Sequence, residues 1–437
     1  MPAQASSAGR ETVTAELVSS LGWLDYREDD ARKARELLRA FEEKGTLDSL
    51  GIGTVRDGLA DLLFPGLSTL HTRARYLLLL PWLYGRLERD VRGGHVTRSR
   101  VVEVARKREA DLMKALSAGG SDPVGIIGVQ AGEKVRVLPR EVYWSALRRY
   151  GLLLFTGSSR SYLEALAAKR PTMPRRTRTD DGELLEAVSD SAWRGDLPEA
   201  PDNWDTRSTF DLSAEEALYL SDRISASVPG TLFTELLQHR PVVEGAEMVW
   251  DLPDVERLSV ETQRVVHHAS MFSRAIYGAQ ILYNILLLER MAGDVTGGGA
   301  EHLTDAMSRV HAQQEWWLGA MEKDAHLLTA WDRPDFWEQL SAGGARIPGP
   351  TRLFVDRWLN AALDDPSVAL SDQEMRRAVE AREWSLKGGL ARIRNSRARE
   401  RAEPPYGLAP LDYRWNGVAR QLISDITSGL ARSGVSA

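Results

Sequence analysis

Charged side chains interrupt the most apolar stretch of the chain, residues 51–84. Charges are rarely buried without a partner, so these groups either pair with one another or face a ligand. In the second case the block would be the arginine–carboxylate site of an enzyme. The charged residues concerned are Arg56, Asp57, Asp61, Arg73 and Arg75.

Helical spacing favours a structural role for this block. Arg73 and Arg75 lie two residues apart, so on a helix they cannot both point to its core face. We therefore predict buried ion pairs in which at least one of the two arginines pairs with Asp57 or Asp61. Loss of one partner of such a pair would cost about 3–5 kcal/mol of folding stability.

Two basic stretches indicate a different chemistry, contact with nucleic-acid phosphates. Residues 97–117 have the pattern of an amphipathic helix with a basic polar face, and residues 387–401 carry six basic side chains against one acid. The sequence pI of about 5.9 argues against this interpretation, because nucleic-acid-binding domains are usually strongly basic. The candidate phosphate-binding residues are Arg98, Arg100, Arg106, Lys107, Arg108, Lys387, Arg392, Arg394, Arg397 and Arg399.

Signatures of catalysis or cofactor binding are weak. No His-Glu-x-x-His, Gly-x-Ser-x-Gly or Ser-x-x-Lys motif occurs. The glycines of residues 51–58 lack the strand and the Gly-Lys step of a phosphate loop and favour a turn before a helix. His267 and His268 would point about 100° apart on a helix, so one of them is expected to be a hydrogen-bonded core histidine. We predict no cofactor and no metal site.

Composition sets further limits. The 437 residues include no cysteine, which excludes a disulfide framework, a cysteine-ligated zinc site and a thiol nucleophile. The N-terminus lacks the apolar core of a signal peptide, and the longest apolar runs are far shorter than the roughly 20 residues of a membrane span. We therefore expect a cytoplasmic protein with no membrane partner. The net charge is −6 but is unevenly distributed, because residues 171–380 are acidic and both ends of the chain are basic.

Helical periodicity dominates the chain, and the predicted fold class is mainly α. The longest periodic stretch, 259–291, is predicted to be the central helix of the second half. The alternation in 125–138 predicts one small β-hairpin, which between basic helices is compatible with a winged helix. We predict an N-terminal helical domain over 20–170, a linker or long surface excursion over 171–210, and a C-terminal helical domain over 211–437.

Six short segments form a distinctive set. They are Gly22–Tyr26, Gly51–Asp57, Asp61–Gly66, Thr72–Tyr76, Tyr143–Trp144 and Leu411–Trp415. Together they resemble a bacterial family of domains of unknown function of about this length, and the resemblance spans nearly the whole chain from Gly22. It implies no catalytic residue, because the family has no assigned chemistry. It implies that proteins of this kind are encoded among genes for phage defence.

The leading functional hypothesis is a non-enzymatic interaction or adaptor protein of a larger assembly that handles nucleic acid. The expected partners are DNA or RNA and other proteins. Two alternatives remain open, an enzyme with an arginine–carboxylate site in 51–84 and a helical scaffold without a nucleic-acid role. The position of the basic residues in the fold distinguishes among them, since phosphate binding requires that they share a face.

Overall fold

Sixteen α-helices account for most of the described part of the chain. The computed structural model describes residues 48–128, 137–168, 191–241, 243, 245–294, 300–400 and 402–432. The helices are α1 Gly53–Leu63, α2 Tyr76–Arg92, α3 Val101–Ala118, α4 Pro139–Arg149, α5 Ser159–Ala167, α6 Ala214–Ser227, α7 Leu232–His239, α8 Val260–Asp294, α9 Ala300–Lys323, α10 Ala325–Thr329, α11 Arg333–Ala342, α12 Gly349–Asp364, α13 Pro366–Ser371, α14 Gln373–Lys387, α15 Ser396–Arg399 and α16 Arg420–Ala431. The predicted mainly α class is confirmed.

Helix α8 is the core helix of the second half, as the periodicity of 259–291 predicts. Helices α1, α9, α12 and α14 pack around it, so its buried residues lie on several sides and not on a single stripe. The indole N–H of Trp317 on α9 donates to the Arg274 carbonyl at 2.8 Å. Gly278 permits this close approach, because a Cβ there would lie 2.2 Å from the Trp317 ring.

By length and composition α8 could also cross a membrane. Its most apolar window is 83% buried inside the protein. Those surroundings are typical of a core helix, and we interpret α8 as one.

The predicted hairpin and winged helix are not supported by the described residues. No strand occurs in the described ranges. Pro123–Gly125 form a 3-10 turn at the start of the predicted hairpin, and the Asp122 carboxylate caps it by accepting a hydrogen bond from the Val124 amide at 2.9 Å. The proline and the cap commit this segment to a turn. The rest of the predicted hairpin, 129–136, lies outside the described residues.

The described end of the predicted linker, residues 191–210, packs on the first half of the chain. The Trp82 indole N–H on α2 donates to the Pro198 carbonyl at 2.8 Å. Trp193 is buried and forms an isolated antiparallel bridge with Leu153. Residues 169–190 lie outside the described part, and the predicted domain boundaries remain predictions.

Candidate interaction site

Arg73 and Arg75, at the start of α2, pair with carboxylates far away in sequence. Arg73 makes a bidentate ion pair with Asp425 on α16, with nitrogen–oxygen distances of 2.8–3.1 Å. Arg75 is buried and pairs with Glu216 on α6 at 2.7 Å. Buried ion pairs are therefore present, but the predicted partners were wrong. The true partners belong to helices that only the tertiary fold brings to α2.

Asp57 and Asp61 lie on the exposed side of α1. The Arg414 guanidinium lies 2.6 Å from the Asp61 carboxylate and donates to the Leu67 carbonyl at 2.7 Å. Asp57 is 3.7 Å from the same guanidinium and 3.1 Å from Arg56. Both aspartates remain about half exposed. The five charged residues of the block thus divide between this surface and the buried pairs of α2, and they form no single arginine–carboxylate site.

Two members of the second basic stretch, Lys387 and Arg399, are used inside the fold. The Lys387 ammonium is 3.4 Å from the buried Glu383 carboxylate. Arg399 is buried, pairs with Asp294 at 2.7 Å and donates to the Arg392 carbonyl at 2.9 Å. Lys387 and Arg399 are therefore unavailable to phosphates.

The remaining members of this stretch are more accessible. The Arg392 guanidinium lies 4.1 Å from the centre of the Tyr406 ring. Arg394 donates to the Glu380 carboxylate at 2.8 Å. Arg397 is exposed. Among the described residues of this stretch, the more accessible cations are thus Arg392, Arg394 and Arg397, and the first two already contact another side chain.

Helix α3 and the turn before it carry the first basic stretch. On the surface Arg100 pairs with Glu103 at 2.9 Å, and Arg108 pairs with Asp90 on α2. Helix α3 packs against α2 and α5, whereas α14 packs against α8, α12 and α13, so different helices hold the two basic stretches. The other exposed candidates are Arg98, Arg106 and Lys107.

His268 is the hydrogen-bonded core histidine expected of the pair His267–His268. The Trp331 indole N–H donates to its Nδ1 at 2.9 Å, so Nε2 carries the proton and donates to Asp335 at 2.7 Å. Burial lowers the pKa of His268. With both ring nitrogens occupied, His268 cannot serve as a catalytic base in this arrangement.

Two buried carboxylates, Glu88 on α2 and Glu109 on α3, are also hydrogen-bonded within the fold. Glu88 accepts hydrogen bonds from the Tyr162 hydroxyl at 2.9 Å and the Ala192 amide at 3.2 Å. Glu109 accepts from the Arg140 backbone amide at 2.9 Å and pairs with its guanidinium. Burial raises the pKa of both carboxyl groups. The oxygens of both carboxylates are therefore engaged in contacts that stabilise the fold.

An open groove between α2, α3 and residues 202–206 is the best candidate for a ligand site in the described part of the chain. It encloses about 530 Å³, within the usual range of ligand pockets. Aliphatic side chains of α2 and α3 form its floor, and the half-buried Trp204 ring forms a wall. The lining residues are Leu83, Arg86, Arg108, Asp111, Leu112, Lys114, Ala115, Ala118, Trp204, Asp205 and Thr206.

Ion pairs surround this floor. Each of the three basic residues that line the groove has an aspartate partner. The Arg86–Asp205 and Lys114–Asp111 pairs measure 2.5 and 3.4 Å, and their side chains are 41–78% exposed. The rim is therefore close to neutral and rich in both donors and acceptors. The three pairs are Arg86–Asp205, Arg108–Asp90 and Lys114–Asp111.

The backbone fixes Trp204 against the two helices. Asn203 adopts a left-handed conformation, with φ of 59°, at the turn that presents the ring. The Ser208 amide donates to the Ala115 carbonyl at 3.0 Å, which ties the turn to the end of α3. Gly119 is required for this approach, because a Cβ there would lie 1.8 Å from the Ser208 carbonyl oxygen. The groove wall is thus held by main-chain contacts.

Sequence reasoning identified part of this groove and missed its aromatic wall, Trp204. Arg108 belongs to the predicted basic stretch, whereas Trp204 lies in the segment assigned to a linker. The available signal was a tryptophan between Asn203 and Asp205, since a large aromatic residue in so polar a segment needs a packing partner. Its contact with Trp82, at 5.8 Å between ring centres, supplies that partner.

A second groove, of about 710 Å³, lies between α7 and the start of α8. Its buried carboxylate, Glu235, accepts hydrogen bonds from the Ser259 amide at 2.8 Å and the Thr262 hydroxyl at 2.5 Å. Glu235 therefore caps the N-terminus of α8. Among the described residues, the only buried carboxylate that lines this groove, that of Glu235, thus has a structural role.

Several of the segments that carry the family resemblance pack together where α1 and α2 contact residues 411–425. The Tyr143 hydroxyl accepts hydrogen bonds from the amides of Thr72 and Arg73 at 2.9 and 3.0 Å. Phe64 stacks on Trp415 at 6.0 Å between ring centres. The segment Gly22–Tyr26 lies outside the described residues. This set of contacts is a packing junction.

Comparison with known proteins identifies the family but no activity. No significant match is found among curated proteins or among solved structures. Residues 18–429 match a family described only as one of unknown function. The match covers most of the chain and confirms the resemblance seen in the sequence. The chain belongs to DUF6361, a family of unknown function.

Proposed function

We propose that this chain is a non-enzymatic interaction protein that binds a segment of a partner protein in the groove between α2 and α3. The observation that carries the proposal is the combination of an aliphatic floor, the half-buried Trp204 and a rim of paired charges. Protein interfaces have this anatomy, with an apolar centre, a polar rim and an enrichment in tryptophan and arginine. The expected ligand is a peptide segment with an apolar anchor residue and polar flanks of both charges.

The charge of the rim favours a peptide over a nucleic acid at this groove. A phosphate backbone gains affinity by neutralising unpaired cations. Here each cation faces an aspartate, so a polyanion would have to displace the carboxylates and meet their repulsion. A peptide can exchange hydrogen bonds with both members of each pair.

The engagement of the buried titratable groups supports binding over catalysis. General acid–base chemistry requires a group that can reach a substrate and change its protonation state. His268 and Glu88 are buried and hydrogen-bonded on their functional atoms. We propose an adaptor of a cytoplasmic assembly, and a phage-defence setting is the context that we expect for it.

Peptide selection tests this proposal. A displayed library of random peptides of about 12 residues, long enough to cross the groove, is selected on the parent protein. It is counter-selected on Ala118→Trp, a substitution that fills the groove from an exposed lining position. We expect enriched peptides with a common apolar anchor and a loss of affinity of about tenfold or more on Ala118→Trp and on Trp204→Ala.

The matched control is Val368→Trp, a change at an exposed apolar residue of α13 that should leave peptide affinity unchanged. Thermal unfolding of all variants establishes that they are folded. Selection that yields no peptide pattern specific to the parent would overturn the proposal. Loss of binding to a single-stranded oligonucleotide in Trp204→Ala, with no peptide selected, would assign the groove to nucleic acid instead.

A further inference from the structure

Helix α9 has one exposed face along its length, on the side away from α8. Successive residues of a helix are turned by about 100°, so residues at suitable spacing share a narrow arc. Five exposed residues lie within an arc of about 60° on this side. The centre of the buried side, which includes Val310 and Trp317, is turned about 140° away from it. The five residues, the α9 face, are Asp305, Ala312, Trp316, Gly319 and Lys323.

Trp316 projects from the middle of the α9 face. It is 54% exposed, and its ring packs edge-on against the buried Tyr277 ring at 6.0 Å between ring centres. The Tyr277 hydroxyl donates to the Gln313 side chain at 2.8 Å, which fixes this support. The neighbours of Trp316 one turn away are small, Ala312 and Gly319, and a Cβ at Gly319 would have open space around it. The face therefore combines a large apolar projection with a shallow space beside it.

Opposite charges lie near the two ends of the α9 face. Asp305 is 71% exposed near the start of the helix, and Lys323 is exposed at its last residue. Arg309 lies on one flank, 3.2 Å from Asp305. Glu315 and Glu322 lie on the other flank, turned about 70° and 90° from the centre of the arc. Between residues 302 and 323 these two basic and three acidic side chains are the only such residues, so a ligand of one strong charge would meet repulsion from part of this surface.

The α9 face is complementary to itself in the antiparallel orientation. Asp305 and Lys323 lie nine positions on either side of residue 314, and Ala312 and Trp316 lie two positions on either side of it. A twofold axis at residue 314 therefore places Asp305 of each copy opposite Lys323 of the other, and Trp316 opposite Ala312. Glu315 is close to the axis but turned away from the contact, so its carboxylate stays in water.

We infer that a second copy of this chain packs antiparallel on the α9 face. Trp316 of each copy would cover the small residues of the other, and two Asp305–Lys323 ion pairs would fix the register. One helix from each copy gives an interface at the small end of specific interfaces, so the dimer should form at about 10 μM and not at nanomolar concentration. The inference is independent of the groove, which α2 and α3 form, and a dimer would present two grooves to a partner.

Sedimentation velocity of the parent between about 1 and 100 μM tests the inference. We expect a monomer at the lower concentration and a dimer at the higher one. Trp316→Ala, Asp305→Lys and Lys323→Asp should each weaken the dimer by about tenfold or more. An equimolar mixture of Asp305→Lys and Lys323→Asp restores both ion pairs in the mixed dimer, so it should dimerise as the parent does. Only the antiparallel register predicts this rescue.

Two control variants keep the result specific. Trp384→Ala removes a tryptophan on α14 that is 42% exposed, and it should dimerise as the parent does. Ala118→Trp should also dimerise normally, so a failure of the groove and a failure of the α9 face are distinguishable. A parent that stays monomeric at about 100 μM, or a mixture that dimerises no better than its two components, would overturn the inference. Binding of an oligo-dT strand to a monomeric parent, lost in Trp316→Ala, would overturn it in favour of base stacking.

Discussion

The ion pairs that fix α2 to the second half and those on the groove rim use the same residue types in opposite ways. At the junction, the Asp425 and Glu216 side chains are only 3% exposed. At the rim, the Arg86 and Lys114 side chains are 51% and 78% exposed. A buried charge must keep its partner because solvent cannot replace it, whereas an exposed pair contributes little and can be exchanged. Burial therefore separates the charges that hold the fold from those available to a partner.

The strongest test of this comparison is to remove one buried and one exposed aspartate. Asp425 also accepts hydrogen bonds from the Ala74 amide and the Gln421 amide group, so Asp425→Ala leaves a guanidinium and an amide without their acceptor. We expect a loss of about 3–5 kcal/mol in the free energy of unfolding, measured with urea. Asp61→Ala removes a carboxylate that is 58% exposed, and Arg414 keeps its hydrogen bond to the Leu67 carbonyl, so the change should cost less than about 1 kcal/mol. Equal losses would contradict the division by burial.

The dependence of folding stability on pH tests the effect of burial at a histidine, His71. The Ser68 amide donates to Nδ1 of His71 at 3.1 Å, so Nε2 carries the proton and donates to the Val142 carbonyl at 3.1 Å. Burial lowers the pKa of His71 to about 3 from 6.5. The unfolded chain therefore takes up the proton first, and the histidine makes stability fall as pH decreases below about 6.5.

The expected contribution of His71 to this loss is about 2 kcal/mol by about pH 5. His71→Asn keeps one donor and one acceptor but cannot titrate, so its stability should depend less on pH over the same range. Urea unfolding of parent and variant between about pH 5 and 7.5 measures the difference. Parallel stability curves would show that His71 is not held neutral.

The smallest expected effect separates two arginines of the second basic stretch. Arg399→Ala removes a buried guanidinium that pairs with the half-exposed Asp294 and donates to main-chain carbonyls, so we expect a loss of about 1–2 kcal/mol. Arg397→Ala changes an exposed side chain and should cost less than about 0.5 kcal/mol. Thermal melting compares them. A greater loss of stability in Arg397→Ala than in Arg399→Ala would contradict the assignment of the structural role to Arg399.

The sequence predicted the helical class and the core helix α8 because period and length are local properties. It also indicated a core histidine at His267–His268. It failed on the partners of Arg73 and Arg75, since Asp425 and Glu216 reach them only through tertiary packing. The alternation near 125–138 suggested a hairpin, but Pro123 and the Asp122 cap favour a turn at its start. Trp204 was missed because its polar, proline-rich context gave no periodic pattern that would indicate a half-buried aromatic residue.

Hydrogen exchange of the protein with and without a peptide selected on the groove tests the central claim most directly. Backbone amides exchange slowly where binding excludes solvent and suppresses opening. We predict added protection in residues 83–86, 108–118 and 204–206, with little change at 57–75 and 414–425. Protection confined to the 57–75 and 414–425 junction, or absent from all of these segments at saturating peptide, would contradict the assignment of the groove as the binding site.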